Sequence, residues 1–98
     1  METFNDIISS DQLVLVDFFA TWCQPCKMMH PILEQLKAAV GDKLRIIKVD
    51  VDKHNEIAAL YRIQSVPTLM LFRNGEVLYR NSGVMDKAEL MALLDPFM

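Results

Sequence analysis

Two cysteines among 98 residues are too few for a disulfide framework. The chain does not need one: its length and 52% hydrophobic content suit a single domain, residues 1–98, with a core of its own. Long basic runs are absent and the formal net charge is −3, which argues against nucleic acid or an anionic membrane as a partner. No apolar stretch approaches transmembrane length. The opening Met1-Glu2-Thr3-Phe4-Asn5-Asp6 lacks the basic and apolar regions of a signal segment, so cytoplasm is the expected compartment. Repeats, linkers and low-complexity segments are also missing.

What is present is concentrated in Trp22-Cys23-Gln24-Pro25-Cys26-Lys27, which holds both cysteines two residues apart. The run before it, Leu13 to Phe19, is almost continuously apolar, the pattern of a strand covered on both faces of a parallel sheet. If that strand ends near Ala20 and a helix begins near Cys23, the pair straddles the helix N-terminus. Residues three apart on a helix lie roughly 5 to 6 Å from each other, within the roughly 4.4 to 6.8 Å between Cα atoms that a disulfide spans. Such a pair can open and close with little backbone movement. Unpaired amides and the positive end of the helix dipole favour a thiolate at Cys23, which is the expected nucleophile. Cys26, one turn deeper, is placed to resolve a mixed disulfide formed at Cys23. Pro25 fixes φ in the first turn, where its missing N–H costs nothing.

The remaining elements follow from periodicity and punctuation. Thr3 to Ser10 suits a short helix. Met28, Met29, Ile32, Leu33 and Leu36 recur at helical spacing up to Gly41, with Pro31 inside and expected to kink the helix. Leu44 to Val49 reads as a second strand and Asn55 to Tyr61 as a helix, so the first two strands are joined by a parallel crossover. Thr68 to Phe72 and Val77 to Tyr79 flank Asn74-Gly75, a strong hairpin signal. Asp86 with Glu89 caps a closing helix through Leu90, Met91, Leu93 and Leu94. The fold class is α/β, a mixed sheet with helices on both faces.

In this order the residues resemble the thioredoxin family over nearly the whole chain. The matching pieces are Leu15-Val16-Asp17-Phe18, Trp22-Cys23 with Pro25-Cys26-Lys27, Pro31, Lys48-Val49-Asp50, Val66-Pro67-Thr68, Asn74-Gly75-Glu76 and Gly83. The resemblance implies a thioredoxin-like fold and a protein-disulfide reductase with no bound cofactor, whose Cys23–Cys26 disulfide is restored to the dithiol by an NADPH-dependent flavin thioredoxin reductase. It implies disulfide-containing client proteins as the other partners. It also implies a cis bond before Pro67, which packs beside the cysteines, and a docking surface of Trp22, Gln24, Pro25, Val66, Pro67 and Gly83.

Asp17 and Lys48 fit the same reading. A carboxylate inside a buried apolar strand costs several kcal/mol unless neutral or paired. Desolvation raises its pKa, and such a group can take the proton of Cys26, with Lys48 on the neighbouring strand as its electrostatic partner. The sequence also departs from the family: Gln24 stands where a glycine is usual, Phe19 where a tryptophan is, and His30 where a small residue is. The chain begins too late for the family's first strand, so four strands are expected, with Leu44 to Val49 at an edge. The expected state is a monomer with weak association through that edge.

Other readings stand beside these. Cys23, Cys26 and His30 supply three ligands where zinc needs four, and no metal is expected. Met28, Met29, Met70, Met85 and Met91 suit core stripes better than a soft-metal surface. Asp17 as a structural carboxyl, Lys48 as a solvent-directed side chain and Pro67 as a trans proline remain open on residues alone. So do a disulfide oxidase or isomerase, because Gln24 lies in the segment that tunes potential, and a binding module for which redox chemistry is incidental.

Overall fold

The apolar run becomes Val14–Phe19 (β1), an inner strand in the computed structural model, which describes residues 1–98. β1 pairs in parallel with Arg45–Asp50 (β2) and antiparallel with Thr68–Arg73 (β3); β3 pairs antiparallel with Glu76–Ser82 (β4). The sheet order is therefore β2-β1-β3-β4, with β2 at an edge as expected.

Alternation along the strands sorts the core onto two faces. Leu13 and Leu15 join Leu69 and Leu71 on one face, while Val14, Val16 and Phe18 join Met70 and Phe72 on the other. The first face is covered by Gln24–Val40 (α2), through Met29, Leu33 and Leu36, and by Lys87–Leu94 (α4), through Leu90 and Leu94. The second is covered by Phe4–Ile8 (α1) and Asn55–Leu60 (α3). There Tyr61 meets Phe4 and Phe72 edge-on, with ring centroids 5.8 and 5.5 Å apart.

Local chemistry fixes the element ends. Gly41, at φ +57°, terminates α2, and the Lys37 ammonium reaches over that end to the Gly41 carbonyl at 2.8 Å. Pro31 lies inside α2 without ending it. Asp86 and Glu89 cap α4 reciprocally, and Thr3 and Asp6 do the same for α1. Asn74 and Gly75 both have positive φ, the requirement of a two-residue hairpin turn whose twist matches its strands. The amides of these two residues donate to Ser10 and Ile8, tying the hairpin to the end of α1.

Two expectations are corrected. The second hairpin strand extends beyond Val77–Tyr79 to Ser82, because polar Arg80, Asn81 and Ser82 still pair with Met70, Leu69 and Thr68 along the sheet's outer side. Met28 is 58% exposed: the buried face of α2 runs through Cys26, Met29, Leu33, Leu36 and Val40, and Met28 falls off it.

Candidate redox site

Both cysteines sit where β1 hands over to α2. Cys23 is the N-cap residue in extended conformation, and its Sγ accepts the Cys26 amide at 3.1 Å. That bond satisfies one of the donors a helix start leaves free, here with sulfur in the place of the usual oxygen. Pro25 occupies the first turn. The two cysteines form a disulfide with Cα atoms 5.3 Å apart. Cys26 is fully buried, whereas Cys23 keeps 4% exposure. Ala20, Cys23 and Cys26 pack together, with Phe19, Val51 and Val66 against them.

The opposite wall is the segment before β3. The Val66–Pro67 peptide is cis, and the Val66 carbonyl oxygen lies 3.6 Å from Cys23 Sγ. Three hydrogen bonds hold this segment: Gly83 N–H donates to the Pro67 carbonyl at 2.9 Å, and Thr68 Oγ1 reaches the Ser65 carbonyl at 2.7 Å and Ser82 Oγ at 3.0 Å. Gly83 has φ +100° at the end of β4, so the glycine and the proline belong to one structure. A shallow cleft of about 150 Å³ beside Cys23 is lined by Trp22, Val51, Ile63, Gln64, Ser65 and Val66. Gln24, Pro25 and the indole of Trp22, 70% exposed, present the outer surface next to it.

Asp17 follows Leu13 and Leu15 at the two-residue period, which turns it toward the face that α2 covers. It has no solvent exposure, and neither carboxylate oxygen has a hydrogen-bond partner. Burial therefore pushes its pKa up to about 6, against the pull of the Lys48 ammonium. Lys48 stands opposite Asp17 in the β1–β2 register but makes no ion pair with it. Its Nζ instead lies 2.8 Å from Nδ1 of His30. Burial and the same ammonium hold the His30 pKa below its usual value, with Glu34 acting in the opposite sense.

The structure brings Val66 against Cys23 and Cys26 and ties Gly83 to Pro67, with Trp22, Gln24 and Pro25 on the adjoining surface, while Asp17 and its register partner Lys48 lie on β1 and β2. Sequence reading missed Asp52, whose Oδ2 accepts the Trp22 indole N–H at 2.9 Å. No local signal marked it: an exposed indole can hydrogen-bond to water, and this pairing joins residues 30 apart through the register of β1 and β2. No group of three or more His, Cys, Asp and Glu side chains is arranged to hold a metal ion.

The thioredoxin family model matches residues 1–96. The chain is 45% identical over 87 residues to a thioredoxin of Bacillus subtilis, covering 89% of this chain and 84% of that one. It is 43% identical over 88 residues to a bifunctional thioredoxin reductase/thioredoxin of Mycobacterium leprae, covering 90% of this chain and 19% of that longer one. Among solved structures, a malaria-parasite thioredoxin-2, described as a component of protein secretion machinery, superposes with TM-score 0.84 at 30% identity over 87% of this chain and 82% of that one. Because the family match runs from α1 through α4 and is not confined to the cysteine motif, the chain belongs to the thioredoxin family.

Proposed function

We propose that this protein is a dithiol–disulfide reductase of the thioredoxin type, cycling between a Cys23/Cys26 dithiol and their disulfide. The observation that carries the reading is the N-cap position of Cys23, whose sulfur takes a helix-start amide while Cys26 waits one turn deeper, within bonding reach. A helix start favours the thiolate over the thiol. The Cys23 thiolate attacks one sulfur of a client disulfide, a mixed disulfide forms, and one client thiolate leaves. Cys26 then loses its proton and attacks Cys23 Sγ, which closes the intramolecular disulfide and releases the second client thiolate. Two electrons pass to the client.

Asp17 is the base in this reading. Its raised pKa, about 6, brings it near neutrality, where a carboxylate can both accept and return a proton. Lys48 adjusts that base from the neighbouring strand. Trp22, Gln24, Pro25, Val66, Pro67 and Gly83 form the docking surface, with the Val66 backbone offered to an extended client segment. No bound cofactor is needed, and electrons come from an NADPH-dependent flavin thioredoxin reductase. The M. leprae chain, named for both activities, supports that partnership. A cytoplasmic, reducing compartment suits a dithiol that must be kept ready.

The test is reconstitution with thioredoxin reductase, NADPH and a disulfide-bonded protein. NADPH consumption requires both cysteines, and Cys26→Ser accumulates a mixed disulfide on Cys23. Limiting alkylation of the reduced protein labels Cys23 first; predominant labelling at Cys26 overturns the assignment of roles. Full biological activity of a protein with both cysteines changed to serine would instead establish the binding-module reading. Equilibration with glutathione separates a reductant from an oxidase or isomerase, the question that Gln24 raises.

A further inference from the structure

His30 lies one helical turn beyond Cys26 on α2 and is half-buried. An ammonium carries only donors, so the ring nitrogen 2.8 Å from Lys48 Nζ has to be an acceptor. His30 in this contact is therefore neutral, with its proton on Nε2. The ring is also held by Phe19, which it meets edge-on with centroids 5.7 Å apart.

Lys48 is the cation whose charge acts on Asp17. The two are register partners on adjacent strands. An ammonium on an exposed edge strand has the freedom to lean toward a bare carboxylate beside it, yet both Asp17 oxygens are unpartnered and the ammonium is at His30. We propose that His30 is a positioning residue: its neutral imidazole holds the Lys48 ammonium away from Asp17 and so leaves the carboxyl group that serves Cys26 without an ion-pair partner.

The inference rests on the reading of Asp17 as the base, and its sign follows from charge. A lone buried carboxyl stays protonated to higher pH; a neighbouring ammonium would ionise it earlier and make it a weaker base. Protonating His30 sets donor against donor, breaks the contact and frees Lys48 toward Asp17. The charged groups acting on the imidazole are Lys48 from β2 and Glu34 from its own helix, and Asp17 on β1 is the register partner of Lys48. Asp50, further along β2, is occupied by the amides of Asp52 and Lys53 at 2.9 and 3.3 Å.

The test is the titration midpoint of the Asp17 carboxyl carbon, followed by NMR in the oxidised protein. His30→Ala lowers the midpoint by about one pH unit, the low end of the roughly 1 to 3 that a nearby opposite charge produces. Lys48→Met raises it. In the Lys48→Met background, His30→Ala leaves it unmoved, since no ammonium remains to be released. An equal drop in both backgrounds, or no drop with Lys48 present, overturns the proposal. The midpoint is read without turnover, so it stands apart from the question of whether Asp17 serves Cys26, which turnover of Asp17→Asn decides.

Discussion

Trp22 and Asp52, 30 residues apart in sequence, are joined by an indole-to-carboxylate hydrogen bond of 2.9 Å. The bond fixes an exposed aromatic ring over the cleft beside Cys23. Because it is exposed, its loss costs the fold little, on the order of 1 kcal/mol or less. Asp52→Ala is expected to leave the melting temperature almost unchanged while loosening the ring. Trp22 is the single tryptophan, so its fluorescence anisotropy reports this directly. Lower anisotropy with a raised KM for client protein and an unchanged kcat is the expected pattern; unchanged anisotropy removes the positioning role of Asp52.

Asp17→Asn is expected to stabilise the fold while slowing turnover. The folded-state pKa is raised from 3.8 to about 6 by burial. The protonated form is therefore the one the fold prefers: stability falls as pH rises from the unfolded value through the folded one, then levels off. The full difference corresponds to about 3 kcal/mol. Below the unfolded pKa the wild-type protein does not carry this ionisation cost; above pH 6 the variant is the more stable by an amount of that order. Parallel denaturation curves for both proteins across this range refute the unpaired, buried carboxylate.

Much of this was legible in the sequence because it rests on local rules. The Cys23 helix start, the Asn74-Gly75 turn and the Asp86–Glu89 capping box each follow from residues within a few positions of one another. Asp17 was legible for a different reason, since a charge inside an apolar strand is conspicuous wherever the strand goes. The contacts of Lys48 with His30 and of Trp22 with Asp52 were not legible. They depend on register between distant elements and on which of several rotamers a long side chain adopts. Lys48 shows the limit clearly: the strand pairing with Asp17 was foreseen, but the destination of its ammonium was not.

Gly83→Ala separates backbone strain from crowding. A Cβ built at Gly83 meets nothing within 4 Å, yet φ there is +100°, a region L side chains avoid. Any cost is therefore conformational, roughly 1 to 2 kcal/mol. The amide of this residue holds the Pro67 carbonyl, so relief of the strain would move the cis-proline segment away from Cys23. The expected result is a lower denaturation midpoint together with weaker client binding. A variant of wild-type stability would mean that the backbone tolerates a side chain here.

β2 has no partner strand on its outer side. The Arg45 and Val51 amides donate inward to the Leu13 and Phe19 carbonyls at 2.9 Å each, and alternation along a parallel strand leaves the Ile46 and Lys48 amides facing outward. Such an edge invites another chain unless guarded. Lys43, Arg45 and Lys48 supply charge, while Ile46-Ile47 between them is strongly β-forming. The Glu2 carboxylate adds a cover by forking onto the Arg45 guanidinium at 2.7 and 2.8 Å. That hydrogen bond holds the Glu2 pKa below its usual value, so the fork persists as pH falls until Glu2 protonates and is lost below that point. Weak, concentration-dependent association through β2 is therefore expected, stronger in Glu2→Ala and at acid pH. Sedimentation of both proteins over a range of concentrations measures it. Amide exchange in dilute protein locates it: the Ile46 and Lys48 amides exchange fast while those of Ile47 and Val49 are protected like β1. Equal protection of all four would show that the outer side of β2 is already covered.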